Sequence, residues 1–387
     1  MGKRVLLFIP TLEMGGAERQ ALGFAAYLKK KDIDVALAGI GKAYGSSGNV
    51  IKEACTEMGI PCFDVSDQVF GRVRRLHCRI LLYHKMKAGC SPLLGNCLLG
   101  LLELLRRNAY DTIVSYCAVP GTVTGMARYL DKNTPRFLWY QRDAGIQNCE
   151  NRLQEKAIKA ADVVLANSVS GQKWLAETYQ INAKVVYNGV ERKKAEYSSE
   201  QWYEKLGIDA SYQIVTMVAN LSSAKDHMTL LRAWKYVVRK CGSKKLLLVL
   251  AGRWDDQYAK LSDWVVQNSL SESVRFLGAV SDVFGLYEIS SVCAFSTFSE
   301  GNPNALIEAA MTGLAVAATD LPEIREVLCR ENQEYLFEQG NVKECAEKIA
   351  ALLNDKEHCS RIGAANREKA AKAFDVKERF DELLDYM

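Results

Sequence analysis

At 387 residues the chain is long enough for two domains, or three, at roughly 100–200 residues each, and it can bury large cores without disulfide or metal staples. Its 49% apolar and 25% charged residues, with 27 glycines and 7 prolines, exclude a disordered, collagen-like or low-complexity polypeptide. The net charge of +4 is too small to imply nucleic acid by itself.

The run Arg4–Pro10 (RVLLFIP) predicts a buried parallel strand. The loop TLEMGGAERQ and the helix ALGFAAYLKKK follow. DVALAGI is a second strand, IKEACTEMGI a helix and PCFDV a short strand, an alternation that argues for an α/β sheet with crossover connections. An apolar-rich helix at 96–107 leads to a strand at 111–116, the helix GTVTGMARYL, a strand at 135–140, a helix at 151–161 and a strand at 162–167. A further helix and a strand over 184–190 bring the total to about six strands before residue 191. Residues 191–211 are polar, which places the linker near 188–200. The pattern then restarts, with strands at 213–220 and 246–252, helices HMTLLRAWKYVVRK and YAKLSDWVVQNSL, and strands in VRFLGAV, VCAFST and LAVAAT. The two halves repeat one α/β architecture, so the expected domains are 1–190 and 191–370. The tail AAKAFDVKERFDELLDYM reads as a helix pair with Phe380, Leu383 and Leu384 on one face. The terminal helix over 371–387 either caps its own domain or crosses back to the first.

Charge and thiols add constraints. Residues 1–190 hold 25 Lys and Arg against 16 Asp and Glu (net +9), whereas residues 191–387 hold 25 against 30 (net −5). A basic front and an acidic back predict surfaces with different partners, unless the bias serves only solubility. Twelve cysteines lie scattered with no CxxC pair, and with four histidines no spacing points to zinc. Many unpaired thiols fit a reducing compartment, so a cytoplasmic location is expected. The apolar run ending at Pro10 is too short for a signal-peptide core, and no uncharged apolar stretch is long enough to span a bilayer.

Three segments carry chemistry. Gly15-Gly16, between the first strand and the first helix, lets backbone approach a ligand and offers helix N–H groups to an anion, although alone it reads equally as a tight turn. Lys225, in the loop VANLSSAKD after the strand at 213–220, is placed to neutralise phosphate oxygens, or is simply a solvated lysine. The segment Ser299–Glu308 (SEGNPNALIE) has Glu300 in a loop marked by Gly301 and Pro303, and Glu308 one turn or more inside a helix over 304–312. Asn304 and nearby N–H groups at the start of that helix can meet a negative ligand. A carboxylate can accept two hydroxyl protons, which suits ribose or hexose, and the apolar flank Ala309–Met311 predicts a partly buried Glu308 in need of partners.

Together these segments resemble the retaining, nucleotide-sugar-dependent glycosyltransferases of family 4, also called glycosyl transferases group 1. The resemblance implies a GT-B fold: α/β, two Rossmann-like domains facing across a cleft. The E-x7-E element is met as Glu300 and Glu308, the glycine-rich loop as Gly15-Gly16-Ala17-Glu18, and the basic diphosphate clamp as Lys225. By this resemblance the first domain binds the acceptor and the second the nucleotide sugar. Glu308 would bind the ribose hydroxyls, Glu300 the donor-sugar hydroxyls and Lys225 the pyrophosphate, with Gly16 capping it. The sequence departs from the pattern at Asn220, where many members have Arg, and at Tyr116, where many have His. Arg142 and Asp143, which end the strand in WYQRDAG, are the first-domain candidates and are expected to face the cleft.

The implied reaction is transfer of a hexose or N-acetylhexosamine, from a UDP-sugar by preference, with retention at the anomeric carbon. The alternatives are a nucleotide-sugar epimerase of the same fold and a non-catalytic nucleotide-sugar-binding protein. No metal or other cofactor is expected, because no DxD motif stands beside an apolar strand. Leaving-group charge would fall on Lys225 and helix N–H groups, and no carboxylate is assigned as nucleophile. Residues 68–102 contain no acid, while Arg72, Arg74, Arg75, Arg79, Lys85 and Lys87 alternate with apolar residues. Such a stretch either lies on an anionic membrane through 70–87 or packs as an ordinary solvated helix. The membrane reading predicts a peripheral protein of the cytoplasmic face with a saccharide or polyisoprenyl-linked saccharide acceptor, and no nucleic-acid partner.

Overall fold

Aliphatic runs without intervening charge become the central strands of two parallel sheets, where both faces are covered and no polar alternation is needed. The computed structural model describes residues 3–41, 50–67, 77, 80–81, 91–145, 152–242 and 244–387. The chain divides into one unit of Met1–Gly189 with Lys377–Met387 and a second of Val190–Val376. The first unit holds β1 (Arg4–Phe8), β2 (Asp34–Gly39), β3 (Cys62–Asp64), β4 (Thr112–Tyr116), β5 (Arg136–Gln141), β6 (Val163–Ala166) and β7 (Lys184–Val185) in the order β3-β2-β1-β4-β5-β6-β7. The second holds β8 (Gln213–Val218), β9 (Leu246–Ala251), β10 (Val274–Gly278), β11 (Val292–Phe295), β12 (Val316–Thr319) and β13 (Leu336–Phe337) in the order β10-β9-β8-β11-β12-β13. Both sheets therefore reverse their winding direction once, between β1 and β4 and between β8 and β11.

In the first unit, Leu6, Phe8, Ala38 and Ile113 pack with the helix Pro92–Arg107. That helix starts four residues before the expected 96, because Ser91 Oγ accepts from Leu94 N (3.3 Å) and Pro92 occupies the first turn. The terminal helix Val376–Asp385 lays Phe380 against Phe24 and Tyr27 of the helix Gly16–Lys30, with ring centroids 5.3 and 5.5 Å apart. Asp381 accepts from Tyr27 Oη and Lys31 Nζ, each at 2.6 Å, and these bonds hold its carboxyl well below the usual range.

Several sequence expectations shift. The strand expected over 184–190 keeps only Lys184–Val185, since Val186 O accepts from the buried Tyr140 hydroxyl (2.6 Å) instead of continuing the ladder. The polar stretch 191–211 contains the helix Ser199–Leu206, entered through a Ser198–Gln201 capping box and ended by left-handed Gly207. Its Trp202 and Leu206 are buried in the second unit, so two core residues were hidden in a polar composition. β13 is too short to show a period. All described cysteines are free thiols. No helix among the described residues is long and apolar enough to cross a membrane. The segment 70–87 lies outside the described residues except for His77, Ile80 and Leu81, which are helical and exposed.

Candidate active site

Open parallel sheets bind ligands outside the carboxyl ends of the strands where the winding reverses. In the second unit that point lies between the loops 219–226 and 296–303, which leave β8 and β11. The two loops are tied together: Lys225 and Thr297 form an isolated antiparallel bridge, and Asp226 N donates to Ser296 O at 3.1 Å. Lys225 Nζ donates to Glu300 Oε1 in an ion pair whose side chains are 21% and 8% exposed, and it lies 5.6 Å from the centre of the Phe295 ring. The lysine is thus partly buried and paired. The helix Asn304–Thr312 begins after Pro303 and ends at Gly313 (φ 91°), a left-handed cap that favours glycine. Asn304 opens this helix and Glu308 stands in its second turn. Glu308 is 1% exposed, more deeply buried than its apolar flank alone implies. Asn220 serves the loop backbone, because its Oδ1 accepts from Arg253 N (3.2 Å).

Sequence reasoning missed His227, which opens the helix His227–Lys240 and lies buried directly behind Lys225 and Asp226. Neither ring nitrogen makes a well-formed hydrogen bond. Burial first, and the Lys225 charge second, push its pKa down to about 4, against a weaker opposite pull from the Ala219 backbone. The unfolded chain takes up this proton near pH 6.5 and the folded chain only near 4, so stability falls as pH drops through that window. His227 alone is expected to make the protein about 2 kcal/mol less stable at pH 5 than at pH 7.5. Urea unfolding at both pH values checks this: His227→Gln should narrow the difference by that amount, and an unchanged difference would refute it.

The first unit holds the remaining candidates. Its sheet reverses between β1 and β4, next to the Gly15-Gly16 loop. There Glu18, 6% exposed, folds back so that its Oε1 accepts from Thr11 N (3.2 Å) and Thr11 Oγ1 (3.0 Å). A Cβ on Gly15 would stand 2.5 Å from Glu18 Oε2, so this glycine makes room for a carboxylate of its own chain. Burial raises the Glu18 pKa, while its hydrogen bonds and Arg142 pull the other way. Tyr116, at the end of β4, is fully buried, which pushes its hydroxyl pKa up. The next residue, Cys117, has φ 70°, a strained conformation for a non-glycine residue.

Arg142 and Asp143, expected to be open to a cleft, are each only 8% exposed. The Arg142 guanidinium lies 4.6 and 5.4 Å from the Tyr140 and Tyr116 ring centres and donates to Asn188 Oδ1 at 2.6 Å. Asp143 Oδ1 accepts from Gln141 Nε2 (3.0 Å) and Gly145 N (2.8 Å), bracing the turn after β5. Two tyrosine rings and Asn188 hold Arg142 inward and the donors of its own turn hold Asp143, which strand-end position alone could not show.

Two reversed-winding parallel sheets, the second with a lysine and two glutamates beside its switch point, make this a two-unit α/β protein with a candidate ligand site at the carboxyl ends of its strands. The sequence profile described as "Glycosyltransferase Family 4" matches residues 14–194 and the one described as "Glycosyl transferases group 1" matches residues 198–369. The chain belongs to this family. It is 25% identical over 251 residues to an uncharacterized glycosyltransferase of Methanocaldococcus jannaschii, covering 60% of this chain and 61% of that protein. It is 24% identical over 377 residues to the capsular polysaccharide biosynthesis glycosyltransferase CapM of Staphylococcus aureus, covering 93% and 91%. It is 23% identical over 300 residues to the N-acetylgalactosamine-N,N'-diacetylbacillosaminyl-diphospho-undecaprenol 4-alpha-N-acetylgalactosaminyltransferase of Campylobacter jejuni, covering 74% and 78%. The crystal structure of Anabaena HepE in complex with UDP-glucose shares the fold, with a TM-score of 0.80, 18% identity, and coverage of 99% of this chain and 100% of that one.

Proposed function

We propose that the chain transfers a hexose or N-acetylhexosamine from a UDP-sugar, with retention, to a lipid-linked saccharide during polysaccharide or glycan assembly. The observation that carries this is the Lys225–Glu300 ion pair at the β8/β11 switch point, with Glu308 buried in the helix that follows. Lys225 meets the diphosphate and disperses the charge that develops as the anomeric carbon–oxygen bond breaks. Glu300 accepts from donor-sugar hydroxyls and Glu308 from the ribose hydroxyls. Asn220 and Asn304 shape the donor site in the second unit, while in the first Gly15 leaves room for Glu18, and Arg142 and Asp143 hold the turn after β5. HepE, which binds UDP-glucose, and the C. jejuni relative, named for a diphospho-undecaprenol acceptor, support the choice of substrates. The test incubates the protein with UDP-sugars and polyprenyl-diphosphate-linked saccharides and assigns the product anomer by NMR. No transfer from any donor by folded protein rejects the reading, and conversion of donor without acceptor replaces it with the epimerase.

The basic segment 70–87 places the protein on the cytoplasmic face of the membrane in this reading. Each Lys or Arg near an anionic surface contributes about 1 kcal/mol, less as salt rises, and the exposed Ile80 and Leu81 add apolar contact. Reversing Arg72, Arg74, Arg75 and Arg79 to Glu is expected to release the protein from phosphatidylserine-containing vesicles in co-sedimentation, with turnover on a short soluble acceptor kept. Wild-type protein that ignores such vesicles at both low and physiological salt excludes this placement.

A further inference from the structure

Six loops leave the carboxyl ends of the strands in the second unit: 219–226, 252–257, 279–282, 296–303, 320–321 and 338–341. Only two of them carry a basic residue, Lys225 and Arg253, whereas Asp226, Asp255, Asp256, Asp282, Glu300, Asp320 and Glu338 are acidic. Lys225 is already bound to Glu300, and Glu308 adds a further buried carboxylate. Arg325, from the following helix, already matches Asp320, but a nucleoside diphosphate brings more than one negative charge, and a single shared lysine leaves this rim short of positive charge.

Arg253 is fastened to the Lys225 loop. Its N–H donates to Asn220 Oδ1 (3.2 Å) and its carbonyl accepts from Leu221 N (2.9 Å). Ser223 N donates to Asp256 Oδ1 (3.1 Å) and Gln257 N to Leu221 O (3.1 Å), so the two loops are laced along their length. Gly252 permits the approach: at φ 155° its position would put a Cβ 2.0 Å from Ala219 O. The guanidinium itself is little used. Nη2 stands 3.7 Å from Asp255 Oδ2, Nε is buried without a hydrogen-bond partner, and the side chain is 40% exposed.

We infer that Arg253 is the second cation of the diphosphate site, binding phosphate oxygens through its planar fork while Lys225 divides its charge between phosphate and Glu300. The inference rests on the donor reading proposed above. Asn220 contributes by fixing the backbone that carries Arg253, so the positive charge absent at position 220 enters from the neighbouring loop.

Calorimetry on the full chain with UDP, beside ligand-observed NMR with uridine, tests it. Arg253→Ala is expected to weaken UDP about ten- to hundredfold, as loss of a charge-assisted contact does, while uridine binds as before. Arg253→Lys should recover part of the loss, and the salt dependence of UDP affinity should shrink in Arg253→Ala. UDP binding unchanged in Arg253→Ala overturns the inference and leaves the donor reading standing. Equal loss of UDP and uridine also overturns it, since that marks a general role in loop shape. Wild-type protein that binds none of UDP, GDP, ADP or dTDP overturns both together.

Discussion

Lys225→Ala is expected to lower folding stability by about 3 kcal/mol, the low end for breaking a buried ion pair, because it strands the Glu300 carboxylate at 8% exposure. The low end applies because Lys225 itself keeps 21% of its side-chain exposure. Sequence alone predicts little change in fold, since a loop lysine contributes little packing; the ion pair reverses that expectation. The double variant Lys225→Ala/Glu300→Gln should regain most of the lost stability, because the amide carries no charge to leave uncompensated. It should not regain UDP affinity or turnover, since the phosphate contact stays lost. Urea unfolding and UDP calorimetry on the wild type, the two single variants and the double variant complete the cycle. A Lys225→Ala variant as stable as wild type would show that the pair is not held in solution.

Glu308→Gln is expected to lower kcat/KM by about a hundredfold or more. A carboxylate accepting two hydroxyls makes two charge-assisted hydrogen bonds, each of about 1.5–3 kcal/mol, and an amide oxygen replaces them only in part. The amide matches the carboxyl in volume, so the buried helix position should tolerate it better than Ala, which would leave a cavity. A sharper readout is discrimination between UDP and 2'-deoxy-UDP: wild type should prefer the ribonucleotide and Glu308→Gln should lose much of that preference. Wild-type turnover by the variant, or undiminished preference, would remove Glu308 from the ribose contact.

The two expected results differ in origin. The Glu308 prediction follows from the family resemblance, and the spacing that carries it, a loop carboxylate eight residues before one inside a helix, is a local pattern visible in the chain. The Lys225 prediction required two segments 75 residues apart to meet. Nothing local in VANLSSAKD announces that its lysine faces the loop after β11. The same holds for Arg253: nothing local in GRWDDQ shows that its backbone bonds Asn220 and Leu221, or that Asp256 bonds Ser223, so that this loop lies along the one that carries Lys225. His227 was likewise legible only as one residue of an amphipathic helix, since its burial, beside Lys225 and the Ala219 backbone, appears only in the folded unit.

The chain alone was enough for the alternation of strand and helix, the repeat of one architecture in two halves, the helix 304–312 and the family resemblance. These rest on periodicity, on Gly and Pro punctuation and on short fixed spacings, all set by neighbours within a few residues. Only the tertiary structure decided that Glu18 fills the space Gly15 leaves, that Arg142 turns inward onto Tyr116 and Tyr140, and that Lys225 reaches Glu300. Side-chain direction at a strand end is chosen by whichever long-range partner best satisfies a charge or a ring, and strand order brings those partners together across tens of residues. A hydrophobic period carries no record of that choice, because it reports which face of an element is buried and not what lies opposite it.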